Sequence, residues 1–260
     1  MNTLWIGIGA GVLGGILGSF TTMLVWRLHF EEKGIWWGRS RCPQCRRNLT
    51  AIELVPIFSW FLQRGRCKKC GKWISVFYPL TEVIFVLTFV LFGLKFWGET
   101  SLFWMGPSVF LLLVLWVYDA RFLEVDRRIS LPAIGIALLW AFLREETSSL
   151  LIGGIVGFGF YFLQYWLTMK LLKKPGVGLG DLELGLLMGL LLGWKLLLPA
   201  LFLAYLLGTL WAVPLLVTGK ASRKTALPMG AFLMPATLVF LYAGEEILNW
   251  YLQTTGWSGL

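Results

Sequence analysis

The chain has 260 residues, 57% of them hydrophobic, with a mean hydropathy of +0.73 and a formal net charge of +9. So much apolar sequence excludes a soluble domain, and apolar runs near bilayer length make the class an all-α polytopic membrane protein; the short alternating segments of a β-barrel are missing. Basic residues of such proteins collect in cytoplasmic loops, so the charge does not point to nucleic acid, and a single histidine, His29, leaves little room for His-based catalysis.

Eight hydrophobic helices are predicted in chain order, over about 4–27, 76–97, 102–118, 130–144, 149–169, 182–193, 195–217 and 229–252. Met1-Asn2-Thr3 carries no basic n-region and no small-residue cleavage site, so the first helix reads as retained. The sixth is short for a full crossing, and the break after it rests on Gly193-Trp194-Lys195, so a tilted or broken helix fits as well. Domain organisation follows: the first helix over 1–27, a cytoplasmic loop domain over 28–75, and a seven-helix transmembrane domain over 76–260.

Loop charge orients these helices. Twenty of the 23 lysines and arginines fall in four loops, after helices 1, 3, 5 and 7. The first loop alone holds eleven, from Arg27 to Lys72. All four loops share one side, which should be the cytoplasm, with both termini outside.

All four cysteines lie in the first loop, as Cys42-Pro43-Gln44-Cys45 and Cys67-Lys68-Lys69-Cys70, separated by 21 residues. Two CxxC pairs at about this separation signal zinc. Four thiolates suit a closed tetrahedral site, hence a structural role, and Gly71 stands where a tight knuckle would need it. Two disulfides are the alternative, and a reducing cytoplasm disfavours them.

Two aspartates stand at the edge of apolar sequence. Asp119 follows the run Leu102–Tyr118 and is expected to begin a cytoplasmic loop; Asp181 closes Gly178-Leu179-Gly180-Asp181 and opens the run Leu182–Trp194. Ionisable groups at such positions usually have a function or a partner. The loop charges put both at cytoplasmic helix ends and at similar depth. If packing joins them, two acids could share a proton as in an aspartic protease. Ordinary roles compete: Asp119 pairing with Arg121, and Asp181 as a helix cap. The glycine-rich segment Pro175–Gly180 could admit an extended peptide. Asp126, in Glu124-Val125-Asp126-Arg127-Arg128, reads as part of a solvated charged loop, and Glu82 stands alone in the second helix.

These residues together resemble the bacterial type IV prepilin peptidases, which are bifunctional leader peptidases and N-methyltransferases. Gly18-Ser19-Phe20 with Trp26-Arg27-Leu28 resembles the family's GSFxNVxxxRLP signature, with Thr22 where Asn is usual. Ser40–Cys45, Leu54–Trp60, Arg64–Cys67 and Ile74–Glu82 follow its cytoplasmic domain. Val117–Arg121 through Arg128–Pro132 resembles the first aspartate motif, Gly178–Asp181 the GxGD motif, and Leu227–Leu233 the late IPFGPFL segment. Asp126-Arg127 departs from the family's usual Pro-Asp or Pro-Asn, and Glu183 stands where Lys is common.

The resemblance implies that Asp119 and Asp181 are the catalytic pair. It implies a prepilin or pseudopilin substrate with a short basic leader, a Gly before the scissile bond and an apolar helix after it. It also implies methylation of the new N-terminus by S-adenosylmethionine, which the complete cysteine loop favours, since shorter relatives that only cleave lack it. No glycine-rich nucleotide fingerprint assigns cofactor residues. Two non-enzymatic alternatives stay open: a transporter using intramembrane acids, and a zinc-binding membrane assembly factor.

Overall fold

A computed structural model describes residues 3–31, 38–174, 176–220, 222, 225 and 227–256. Glu32, Lys33, Pro175, Arg223 and Lys224 lie outside the described residues. The described chain is helical: α1 (Thr3–His29), α2 (Phe58–Leu62), α3 (Phe77–Phe96), α4 (Ser101–Phe122), α5 (Arg127–Phe142), α6 (Thr147–Leu172), α7 (Leu179–Val217) and α8 (Gly230–Thr255). Among the described residues six helices are long and apolar enough to cross a membrane, namely α1, α3, α4, α6, α7 and α8. The chain divides into two compact units at Gly106/Pro107.

In the first unit α1 and α3 pack antiparallel along small residues. Gly7, Gly11, Gly14 and Gly18 recur every three to four positions on one face of α1. A Cβ at Gly14 would lie 2.6 Å from the carbonyl oxygen of Phe85, and one at Gly18 would lie 3.0 Å from Cα of Glu82. Glycine lets the two backbones approach where any side chain would hold them apart. The loop between them carries α2 and a 3-10 turn at Ala51–Leu54, neither of them expected from the sequence.

The second unit alternates up and down. Its tightest seam joins α6 to α7, with Gly153 and Gly157 opposite Gly189 and Gly185: Cβ atoms at these positions would run into the facing backbone. Four-residue spacing keeps each set on one helix face.

The break foreseen at Gly193 is present. Gly193 takes φ 70° and ψ 171° inside α7, a region essentially restricted to glycine. Its effect can be measured against α6. A Cβ at Gly185 would touch Tyr161, while Gln164, less than a turn from Tyr161, hydrogen-bonds Tyr205 at 3.1 Å. Twenty residues of straight helix span about 30 Å, so the two halves of α7 must fold back on each other at Gly193. Counted as two segments, α7 brings the six long helices to seven, and the shorter α5 is the eighth of the predicted hydrophobic segments. The second half then pairs with α8, where Gly244 meets Leu196 and Gly208 meets Phe232.

The structure corrects some helix ends. α4 continues past Asp119 to Phe122, so Asp119 sits in a last helical turn and not in a loop. α5 begins at Arg127, capped by Asp126, whose side chain accepts from the Arg128 N–H at 2.8 Å. The loop expected around Asp126 is therefore shorter, because a capping side chain recruits the preceding residues into the helix.

The α6–α7 seam can be checked by substitution. Gly189→Val should lower the melting temperature in detergent sharply, at a cost of about 1–3 kcal/mol or more from overpacking. Gly159→Ala, which meets nothing within 4 Å, should leave it unchanged.

Candidate functional site

The four cysteines are brought together by two matching turns. In the first, the Cys42 N–H donates to Arg47 O at 2.9 Å, and Arg46 N–H to Cys42 O at 2.9 Å; in the second, Cys67 N–H donates to Lys72 O at 3.0 Å, and Gly71 N–H to Cys67 O at 2.9 Å. Short bridges, Arg41 to Asn48 and Arg66 to Trp73, close each turn. The left-handed residue stands at the same place in both, Arg46 with φ 53° and Gly71 with φ 67°. Gly71 thus has the conformation expected of it.

The thiols are free, with no disulfide among them, and their sulfurs all lie within 4.8 Å of one another. Tetrahedral zinc holds thiolates at about 2.3 Å, so this donor set fits a four-thiolate zinc site. The backbone N–H of Cys70 is the largest cause favouring the Cys67 thiolate; with Arg47 and Lys69 it outweighs burial and brings the thiol down to about 6. Cys70 receives an N–H from Lys72, yet burial and the surrounding sulfurs push it up to about 11.

One ion pair braces this loop. Arg47 grips Glu53 with both guanidinium nitrogens, at 2.9 and 2.5 Å, and Thr50 adds its backbone N–H at 3.0 Å. Arg47, then the Thr50 N–H, hold the Glu53 carboxyl down at about 2. Arg47 also acts electrostatically on Cys67, so its charge is felt in the second turn as well as the first. Glu82, expected to stand alone, accepts the Ile57 N–H at 2.6 Å.

The second unit positions the two aspartates. Asp119 is buried, 5% exposed, and its Oδ2 accepts the Ala231 N–H at 2.8 Å at the start of α8. Asp181 occupies the first turn of α7, partly exposed, and its Oδ2 accepts the Gly178 N–H at 2.9 Å. Each carboxyl is thus held by a backbone donor at a helix N-terminus, where the dipole favours negative charge. Neither is in a salt bridge among the described residues, so pairing of Asp119 with Arg121 is not its role there. The N-cap of α7 is Gly178 and not Asp181, which stands at the third helical position and accepts the Gly178 N–H from there.

Contacts bring the two acids to one place. Gly230 packs between Asp119 and the first turns of α7: a Cβ there would fall 3.0 Å from Cγ of Asp119 and 2.9 Å from Leu184, one turn beyond Asp181. Gly180 packs on Val125 of the α4–α5 loop, where a Cβ would come within 2.6 Å. Asp119 and Asp181 interact electrostatically.

Neighbouring acids are accounted for. Glu183 accepts from Arg127 Nε at 2.8 Å and from the Ser130 hydroxyl at 2.5 Å, which ties it to α5. Asp126 is not solvated: its side chain is 7% exposed and paired with Arg128 at 2.6 Å. Burial opposes its ionisation, but the Arg128 side chain and N–H prevail and hold it below the usual carboxylate range. The loop Gly176–Gly180 runs back along α6, with the Gly176 N–H bonded to Thr168 at 3.0 Å. The sequence of Leu227–Leu233 marks a motif but does not name its partner, so Gly230 and Ala231 as the anchor of Asp119 emerge only from the fold.

Two family models cover most of the chain. The Bacterial Peptidase A24 N-terminal domain matches residues 12–96, and the Type IV leader peptidase family matches residues 108–213. A protein of Bacillus subtilis (strain 168) named "Prepilin leader peptidase/N-methyltransferase" is 32% identical over 245 residues, covering 93% of this chain and 96% of its own. The chain belongs to the type IV prepilin leader peptidase family. Relatives with the same printed name occur in Pseudomonas putida, 30% identical over 95% of this chain and 94% of theirs, and in Pectobacterium carotovorum subsp. carotovorum, 32% identical over 86% and 88%. No solved structure matches. The transporter and assembly-factor readings find no counterpart among these relatives of the peptidase family.

Purified protein should carry about one equivalent of zinc, lost when Cys42 and Cys45 become Ser, as a single four-thiolate site requires. Glu53→Gln, which frees Arg47, should weaken zinc binding by about 10- to 100-fold, as loss of an outer-shell partner does. Competition with a chromophoric chelator measures both.

Proposed function

We propose that this family member is a membrane-embedded aspartic endopeptidase that removes the leader from a type IV prepilin or pseudopilin, with Asp119 and Asp181 as its catalytic pair. The observation that carries the reading is the pair itself: two carboxyls at the same end of the unit, Asp119 within electrostatic range of Asp181, without cation partners among the described residues, each held by a backbone N–H at a helix N-terminus. One carboxylate takes a proton from water, whose oxygen attacks the scissile carbonyl carbon. The other, protonated, donates to the carbonyl oxygen. Collapse of the tetrahedral species breaks the C–N bond, and the leaving nitrogen takes up a proton. The leader departs with a carboxylate and the pilin with a new amine. Close like charges disfavour double ionisation, which suits one ionised and one protonated member.

Loop charge supports the rest of the arrangement. The basic loops face the cytoplasm of a bacterial inner membrane, both termini lie outside, and cleavage occurs at the cytoplasmic face. The substrate's apolar helix lies beside the enzyme's helices in lipid while its leader stays in water. Zinc on Cys42, Cys45, Cys67 and Cys70 has a structural role, since four thiolates leave no open position. The relatives' printed name supports a second activity, methylation of the new N-terminal amine. S-adenosylmethionine would supply the methyl group.

Asp119→Asn and Asp181→Asn should each abolish leader removal, by at least a thousandfold, in protein that still inserts. Mass spectrometry of a candidate prepilin after incubation reads cleavage and methylation together. Normal processing by either variant would reject the assignment, and leave the zinc-binding assembly factor as the better reading.

A further inference from the structure

The glycine seam between α6 and α7 fixes a register that extends beyond the glycines. Gly153 faces Gly189 and Gly157 faces Gly185, so each step of four along α6 is matched by a step of four back along α7. The next step brings Tyr161 opposite Asp181. Tyr161 does lie at this end of the seam, since a Cβ on Gly185 would fall 2.5 Å from its ring. The ring is fully buried, 0% exposed.

The hydroxyl of Tyr161 is buried and makes no hydrogen bond among the described residues. An unsatisfied buried hydroxyl is costly and calls for an explanation. Two groups act on it electrostatically: Tyr205, from the second half of α7, and Asp181, from the first. Tyr205 is already engaged, exchanging hydrogen bonds with the side chain of Gln164 at 3.1 and 3.2 Å. Asp181 is not fully engaged. Its Oδ2 is held by Gly178, and its Oδ1 accepts from no described residue.

We propose that Tyr161 is a positioning residue of the peptidase site, whose hydroxyl donates to Oδ1 of Asp181, directly or across one water, when substrate is bound. Gly178 then holds one carboxylate oxygen and Tyr161 the other, which fixes the plane of the carboxyl toward the scissile bond. Hydrogen bonds of this kind are often open in a free enzyme and tighten only in the substrate complex. The proposal rests on Asp181 being catalytic.

Tyr161→Phe keeps the ring and removes only the hydroxyl. Full-length enzyme in detergent micelles, assayed on a prepilin, should lose about tenfold or more in kcat with KM unchanged. Its melting temperature should hold or rise, because no hydrogen bond in the free enzyme is lost. Tyr205→Phe, which breaks the bond to Gln164, should lower the melting temperature and leave kcat unchanged. An unaltered kcat in Tyr161→Phe overturns the proposal. So does a fall in kcat accompanied by a lower melting temperature or a raised KM, which would mark a packing role. Asp181→Asn is run in parallel: if it cleaves, the peptidase reading itself fails, whereas an inactive Asp181→Asn beside a fully active Tyr161→Phe rejects this inference alone.

Discussion

Gly153 and Gly157 on α6, with Gly185 and Gly189 on α7, bring backbone against backbone between the two helices, and the geometry of the second unit depends on that close approach. In lipid no hydrophobic effect drives helices together, so packing of backbone on backbone has to hold them. Contact at this range admits only one register, because a slip of one residue would drive a side chain into a carbonyl. The register in turn sets the depth of Asp181. α8 is drawn to the same end of the unit through Gly230, which fits between Asp119 and Leu184 only because it has no Cβ.

The carboxyls solve a problem that any acid near hydrocarbon meets. An ionised oxygen needs donors, and lysine or arginine would neutralise it. Here the donors are main-chain N–H groups, from Ala231 and Gly178, which stabilise charge without cancelling it. Glu183 and Asp126 show the contrasting solution, each joined to an arginine, Arg127 and Arg128. Acids within one small region are therefore sorted by partner: those with arginines brace helices, and those with backbone donors stay chemically available.

Much of this was legible in the sequence, and for definable reasons. Hydrophobic run length foretold the long apolar helices, including the break at Gly193, because it depends only on local composition. The cysteine spacing foretold that the four thiols would cluster, because ligand geometry restricts where paired knuckles can stand. Helix ends were less accessible: Asp119 looked like the start of a loop because apolarity stops at Tyr118, although the hydrogen-bonded helix runs on to Phe122. Partners far apart in the chain could not be read at all. Nothing in Leu227–Leu233 reveals that Ala231 will meet Asp119, 112 positions away, and Glu183 gave no sign of Arg127 and Ser130. The glycine spacing of α6 and α7 was in plain view, but which face meets which is a property of the fold.

The reversal at Gly193 also governs parity. With α7 folded back, the second half returns toward the end of the unit where Asp181 lies, and α8 can begin beside Asp119. A residue with a side chain at position 193 would resist φ 70° and ψ 171° and favour one continuous helix. That would deliver the start of α8 to the far end, carrying Ala231 away from the carboxyl it holds. A single backbone conformation, remote from the chemistry, thereby decides whether the chain makes an odd or an even number of passes between its two acids and the helix that completes the site.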